Sequence, residues 1–376
     1  MIHEKLHLLL PWERIENGAQ EQILTVCRFP FVEKVAIMPD VHQGYDMPIG
    51  GVARTDRVIS PAWVGCDIGC GMSFADTGVT PEGLTAEHTR WKILEDIENA
   101  FPLGVGGSRP RGISCPEFIA SDGDQQLTDE VNAKLRFQLG TLGGGNHFVE
   151  VGTLEKRGTV AVTVHSGSRK PGWLIARHHM RKTKKVDKDL PKGFFHSYSE
   201  AGHAYRDDMD FALDYALESR TIMLRAVLEV LATYKHFSVT AAMGGMINEH
   251  HNYADVDLGG QVTHRKGATP AELDQMGVIP ICINAGVYVT RGLGNEEYLS
   301  SASHGAGRTL GRRDAKELLD MKDFADSVEG IACRVTEDRL DESPEAYKAV
   351  EDIIPAQDGV VVKVVDRTIP FVVGKG

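Results

Sequence analysis

The chain has 376 residues, of which 42% are hydrophobic and 25% charged, in the range of a soluble globular enzyme and long enough for a large core or two domains. A formal net charge of −12 argues against a general nucleic-acid coat protein, though not against a local basic track. No apolar run reaches membrane-span length, the N-terminal apolar run is too short and acid-flanked for a signal peptide, and six cysteines do not read as a disulfide framework, so a reducing cytoplasm and no membrane are expected.

Along the chain, "KVAIMP" (34–39) reads as a short strand running into a polar loop. "TVAVTVHS" (159–166) reads as another, with Val160, Val162 and Val164 on one face and His165 at its end. Arg177 to Gly193 is a basic segment, with seven Lys or Arg against two Asp. The clearest helix spans roughly 203 to 234, where Leu213, Leu217, Leu224, Val227 and Leu231 recur at helical spacing. "GVVVKVVDRTIPFVVGKG" at the C-terminus reads as two strands around an Asp-Arg turn. Strands and helices without a regular βαβ rhythm predict an α+β fold with a mixed sheet. Candidate site residues range from Asp40 to Lys375, which predicts one catalytic domain over 1–376.

Glycines cluster in "GVGG", "TLGGGN", "MGG" and "HGAGR", the pattern of backbone held near a ligand or bent sharply. Of fifteen histidines, His42, His147, His165, His251 and His304 sit beside glycine or polar signals at expected strand ends. His3, His7, His88, His178, His179, His196, His203 and His236 sit in polar or helical contexts and read as surface or core residues. "VGCDIGCG" (64–71) adds Asp67 three positions before Cys70. Asp67, Cys70, His147, His165 and His251 make five candidate ligands, enough for two ions bridged by one thiolate. The donor set suits zinc, and its carboxylate and imidazoles also suit manganese. Spacing thus points to metal-dependent phosphoryl or hydrolytic chemistry.

Seven motifs go further. "PDVHQGYDMPIGG" (39–51), "VGCDIGCGM" (64–72) and "GTLGGGNHFVE" (140–150) are followed by "HSGSR" (165–169), "HHNY" (250–253), "HRKGAT" (264–269) and "HGAGR" (304–308). With the terminal "KG", they resemble the RtcB family of RNA ligases, in order and over nearly the whole chain. The resemblance implies a fold of the RtcB type and a GTP-dependent ligase using two Mn²⁺ ions. Its substrates would be RNA ends bearing a 2′,3′-cyclic phosphate or 3′-phosphate and ends bearing a 5′-hydroxyl, in RNA repair or tRNA splicing.

Carried over by motif, Asp67, Cys70 and His147 would hold one ion. Cys70, His165 and His251 would hold the other, leaving Cys66 as a small buried neighbour. His304 would be the guanylylated nucleophile, and Asp40 and His42 would be further catalytic residues of the active site. Asn146, Glu150, Asn252, Cys282, Gly305, Ala306, Gly307, Tyr347 and Lys375 would bind GTP. Arg169, Lys266, Arg308 and the 177–193 segment are the candidates for RNA contact. The resemblance leaves open an activating protein partner.

The sequence departs from the family at "PICINAGVYV" (280–289), where Cys282 and Val287 stand at positions of nucleotide-contacting serines, and at Pro270, where arginine is common. Val has no side-chain hydrogen bond to offer and a thiol only a weak one, so weaker or altered nucleotide binding is expected. The alternative reading is a binuclear phosphoesterase that opens cyclic phosphates without ligating.

Overall fold

The computed structural model describes residues 2–104, 106–184 and 187–376. Two mixed sheets carry the fold. One has five strands in the order Leu6–Leu8, Val32–His42, Ile49–Asp56, Gln261–Lys266 and Asn252–Val256. The main path of the larger runs Met276–Pro280, Val287–Gly292, Val362–Lys375, Phe148–Leu154, Val160–Ser166, Gly71–Asp76 and Ile247–His250, and Ala332–Cys333 pairs parallel to Val362–Lys375.

The strand expected at 34–39 extends to Val32–His42, and its run of buried residues explains why alternation is weak there. In Val160–Ser166 the alternation is real. Val160, Val162 and Val164 join Leu224, Val227, Leu228 and Leu231 of the long helix in one core cluster, each fully or almost fully buried. Burying each such side chain contributes about 2 kcal/mol.

That helix is Glu200–Tyr234, three residues longer at its start than the hydrophobic pattern predicts. Ser199 caps it, its Oγ accepting the Gly202 N–H at 3.1 Å, and Glu200 complements the positive end. Its N-terminal half packs through Tyr205, Met209 and Ala212 on a second cluster, with Leu127, Val131 and Leu135 of helix Gln125–Gln138 and Ile175 of helix Arg169–Lys182.

The C-terminal reading needs correction. Val362–Lys375 is one strand, and Asp366 and Arg367 lie inside it, paired with Val289 and Tyr288. Two flanking ladders override the turn preference of the Asp-Arg pair. The buried Asp366 carboxylate instead accepts the backbone N–H groups of Lys156 and Arg157 in the neighbouring turn, at 3.0 and 3.2 Å.

The ladder also explains how distant motifs meet. Phe148–Leu154, Val160–Ser166, Gly71–Asp76 and Ile247–His250 are successive antiparallel neighbours. His147 precedes the first, His165 nearly ends the second, Cys70 precedes the third and His251 follows the fourth. Alternating direction puts all four at the same end of the sheet. Lys375, opposite Phe148, ends the C-terminal strand at that end too.

Candidate metal and nucleotide site

At this sheet end, Cys70 Sγ lies 3.2 Å from His165 Nε2 and 3.4 Å from His147 Nε2. His147 Nε2 is 3.2 Å from Asp67 Oδ2, and His165 Nε2 is 3.3 Å from His251 Nε2. The Nδ1 atoms of His147 and His165 point at the carbonyls of Leu142 and Asn146, at 3.0 and 3.1 Å. Donation to those carbonyls leaves both Nε2 lone pairs facing inward, the usual arrangement around a ligated ion. Two Nε2 atoms at 3.3 Å and a thiol sulfur between two imidazoles fit a shared cation.

Electrostatics support the same reading. Burial, then neighbouring imidazolium charge, pushes His165 and His251 well below the usual histidine range, so both are neutral donors. Burial and the adjacent Asp67 hold the Cys70 thiol well above its ordinary value, and a bound cation is what would favour the thiolate. Asp67 sits at the rim with its side chain 40% exposed. Burial alone would raise it, but the hydrogen bond and charge of His147 bring it down.

A charged residue absent from every motif holds the Asp67–Cys70 loop. Arg220, in the middle of the long helix, is completely buried. It donates to the carbonyls of Gly69 at 2.7 Å and Ser166 at 2.9 Å, and to Asn248 Oδ1 at 2.7 Å. A helical arginine gives no sign of this in the sequence, because its partners come from three distant segments. Arg169, half-buried with φ +60°, lies close enough to the loop for its charge to act on Asp67. A Cβ on Gly143 (φ +93°) would lie 2.0 Å from its Nη1, so glycine is required where Arg169 passes the "TLGGGN" turn.

His304 lies next to this centre, its ring centroid 4.8 Å from that of His251. Its Nδ1 meets Asp40 Oδ2 at 2.7 Å, and the Asp40 side chain is fully buried. The Nδ1 proton therefore belongs to the Asp40 contact, and Nε2 is left with its lone pair. Gly307 (φ +72°) permits the approach, since a Cβ there would lie 2.1 Å from the Asp40 carbonyl.

His304 and His42 border a cavity of ≈ 290 Å³. Asn146, Glu150, Cys282, Gly305, Ala306, Gly307, Arg308, Tyr347 and Lys375 also line it. Burial raises the Glu150 carboxyl from its ordinary 4.5 to about 7, partly offset by the Thr368 hydroxyl bonded to it. Glu342, unnoticed in the sequence, pairs with Lys375 and accepts the Tyr347 hydroxyl at 2.7 Å and Arg312 at 2.6 Å. Against burial, Lys375 and Arg312 hold its carboxyl down at about 2.

Several expectations change. Asn252 is not among the residues lining the cavity. Its amide donates to the Asp67 carbonyl at 3.1 Å and accepts the Gly267 N–H at 2.7 Å, so it braces the metal loop. Lys266 is buried, its ammonium held by the carbonyls of Tyr45 and Ala62, which leaves no exposed cation for RNA. Arg308 faces the cavity, donating to the Asp341 carbonyl at 2.6 Å. Cys66 is exposed, not buried.

Val287 is fully buried in a cluster with Met72 and Phe74 and does not line the cavity, so only Cys282 of the two departures faces it. The thiol of Cys282 contacts Asn284 Oδ1 at 3.1 Å. The 177–193 segment is not one basic face. His178 and His179 are buried, Lys182 pairs with Asp122, and Lys185 lies outside the described residues. Arg177 and Lys170 flank the Trp173 ring, at 4.7 and 3.2 Å from its centroid. Among the described residues no helix is long and apolar enough to cross a membrane.

Comparison with known proteins agrees with the motif reading. A family model described as tRNA-splicing ligase RtcB matches residues 22–376. The chain is similar to an RNA-splicing ligase RtcB of Escherichia coli K12, 33% identical over 92% of this chain and 91% of that protein. It is 30% identical to an RNA-splicing ligase RtcB of Mycobacterium tuberculosis, over 94% of this chain and 100% of that protein. A tRNA-splicing ligase RtcB of Thermococcus kodakarensis is 29% identical, over 96% and 92%.

Proposed function

The chain belongs to the RtcB family of RNA ligases, and we propose that it joins RNA 3′-phosphate or 2′,3′-cyclic phosphate ends to 5′-hydroxyl ends, with GTP as co-substrate. The observation that carries this reading is His304, polarised by the buried Asp40 at 2.7 Å and set at the junction of the thiolate–imidazole cluster and the cavity. An imidazole so placed can serve as a nucleophile, and the family match favours ligation over plain hydrolysis.

In this reading His304 Nε2 attacks the α-phosphorus of GTP. A P–N bond forms, the bond to the β-phosphate oxygen breaks, and pyrophosphate leaves. Asp40 keeps the proton on Nδ1 and offsets the positive charge that grows on the ring. Glu150, once ionised, accepts two hydrogen bonds from a guanine edge, a pattern adenine does not offer. Lys375 and Arg308 face the same cavity and supply positive charge toward phosphate. The GMP group then passes to the RNA 3′-phosphate, and the 5′-hydroxyl displaces GMP to close the phosphodiester.

Asp67, Cys70, His147, His165 and His251 would hold two manganese ions, with Cys70 as the shared ligand. Such ions neutralise phosphate charge and activate water for opening a cyclic phosphate. For RNA contact, Arg169 at the metal loop and the Lys170–Trp173–Arg177 group on the same helix offer charge and a stacking face.

The test is a ligation assay with one RNA strand ending in 3′-phosphate and one beginning with 5′-hydroxyl, with GTP and Mn²⁺. Wild type is expected to join them, and His304→Ala to retain metal but not join them. Joining by His304→Ala, or cyclic-phosphate opening without joining by wild type, would overturn the proposal.

A further inference from the structure

We propose that Asp122, His178 and His179 form a second cation site, apart from the sheet-end centre, that takes a divalent transition ion, zinc by its donor set. One ligand atom from each lies within 4.8 Å of the others. The three come from the loop before helix Gln125–Gln138 and from the last two turns of helix Arg169–Lys182. Two imidazoles and one carboxylate leave a fourth position for water, a usual zinc arrangement.

The orientation of the histidines carries the argument. His179 is 1% exposed, and its Nε2 contacts Asp208 Oδ2 at 2.8 Å. Asp208 is itself buried and fixed from its other oxygen by the Ser121 N–H at 2.9 Å. That contact places the proton on Nε2 and leaves Nδ1 as a buried acceptor with no hydrogen-bond partner. An unpaired nitrogen this deep is costly unless something binds it. A carboxylate on the far nitrogen is how proteins orient a metal-binding imidazole. His178 instead meets the ligand carboxylate directly, with Nε2 at 2.7 Å from Asp122 Oδ2, and its Nδ1 lies 3.9 Å from Asp124 Oδ2.

Lys182 bonds the same Asp122 oxygen as His178. Its side chain is 36% exposed, so its ammonium is free to leave for water when an ion arrives. Lys182 is thus the cation that stands in for the metal. The cluster opens into a solvent cavity of ≈ 980 Å³ lined also by Asp124, Glu200, Asp207, Arg181 and His203, which gives an ion access from water. A bound ion would tie the loop before helix Gln125–Gln138 to helix Arg169–Lys182, with Asp208 of helix Glu200–Tyr234 behind His179.

The experiment counts zinc per chain after equilibration of the full-length protein with Zn²⁺ alone. Wild type, Asp122→Asn, His178→Gln and Lys182→Met are compared, each also in a Cys70→Ala background that disables the sheet-end centre. Asp122→Asn and His178→Gln are expected to hold one zinc fewer than wild type, or to bind it at least about tenfold more weakly. Lys182→Met keeps all three ligands and is expected to bind that zinc more tightly than wild type. Equal zinc counts and affinities across the four proteins would overturn the proposal, and so would a Cys70→Ala protein that holds no zinc at all.

Discussion

At the residue scale, the site depends on which nitrogen of each histidine is left free. Leu142 and Asn146 carbonyls turn His147 and His165, and Asp40 turns His304. Asp40→Asn keeps the shape but no longer demands a proton on His304 Nδ1. It is expected to slow formation of the His304–GMP bond about a hundredfold with metal content unchanged. Single-turnover rates beside metal analysis check this, and loss of metal with the rate would assign Asp40 a structural role instead.

Glu150 sets a pH dependence. Well below pH 4.5 it is protonated in folded and unfolded chains alike, so no charge has to be buried. As pH rises towards about 7 the unfolded carboxyl ionises first, and the folded state loses stability. Glu150→Gln removes that slope, and its stability relative to wild type is expected to rise by about 2–3 kcal/mol between roughly pH 5 and pH 8. Denaturant melts at the two pH values measure it, and a constant difference would mean Glu150 is not the group that titrates.

At the element scale, much was legible because the signals are local. His165 closes a strand marked by alternating valines, and glycines flag the turns at 143 and 307 that a side chain would block. Arg220, Glu342 and the His178–His179 pair were not legible. Their meaning comes from partners far along the chain, and a helical arginine or histidine looks the same whether it faces water or a buried loop. Lys266 and Asn252 run the other way: both sit in motifs at strand ends, yet their side chains are held by backbone groups. The C-terminal strand is hidden in the sequence because Asp-Arg is turn-like by propensity, while its pairing partners lie at 287–292 and 148–154.

Arg220 gives the element-scale prediction. Arg220→Met leaves the Gly69 and Ser166 carbonyls without their donor in a buried place, expected to destabilise by about 2–4 kcal/mol. The same change should weaken metal binding, since the Asp67–Cys70 loop loses its brace. Thermal melts with and without added Mn²⁺ check both, and a variant as stable as wild type would show that the helix does not hold the loop.

At the scale of the whole molecule, antiparallel order converts distant motifs into one end of one sheet. Cys70, His147, His165 and His251 arrive there by alternating strand direction, Lys375 by the last strand, and His304 and Asp40 from the segments that close the other side. The cation cluster and the cavity therefore meet at His165, which belongs to both, with His304 beside them, and the family's ligation chemistry asks for that junction. The mass of the intact protein after incubation with GTP and Mn²⁺, for wild type and His304→Ala, tests this most directly. The account predicts an acid-labile gain of one GMP on wild type and none on the variant. Wild type that binds metal and GTP yet gains no mass, or an adduct that persists in His304→Ala, would contradict it.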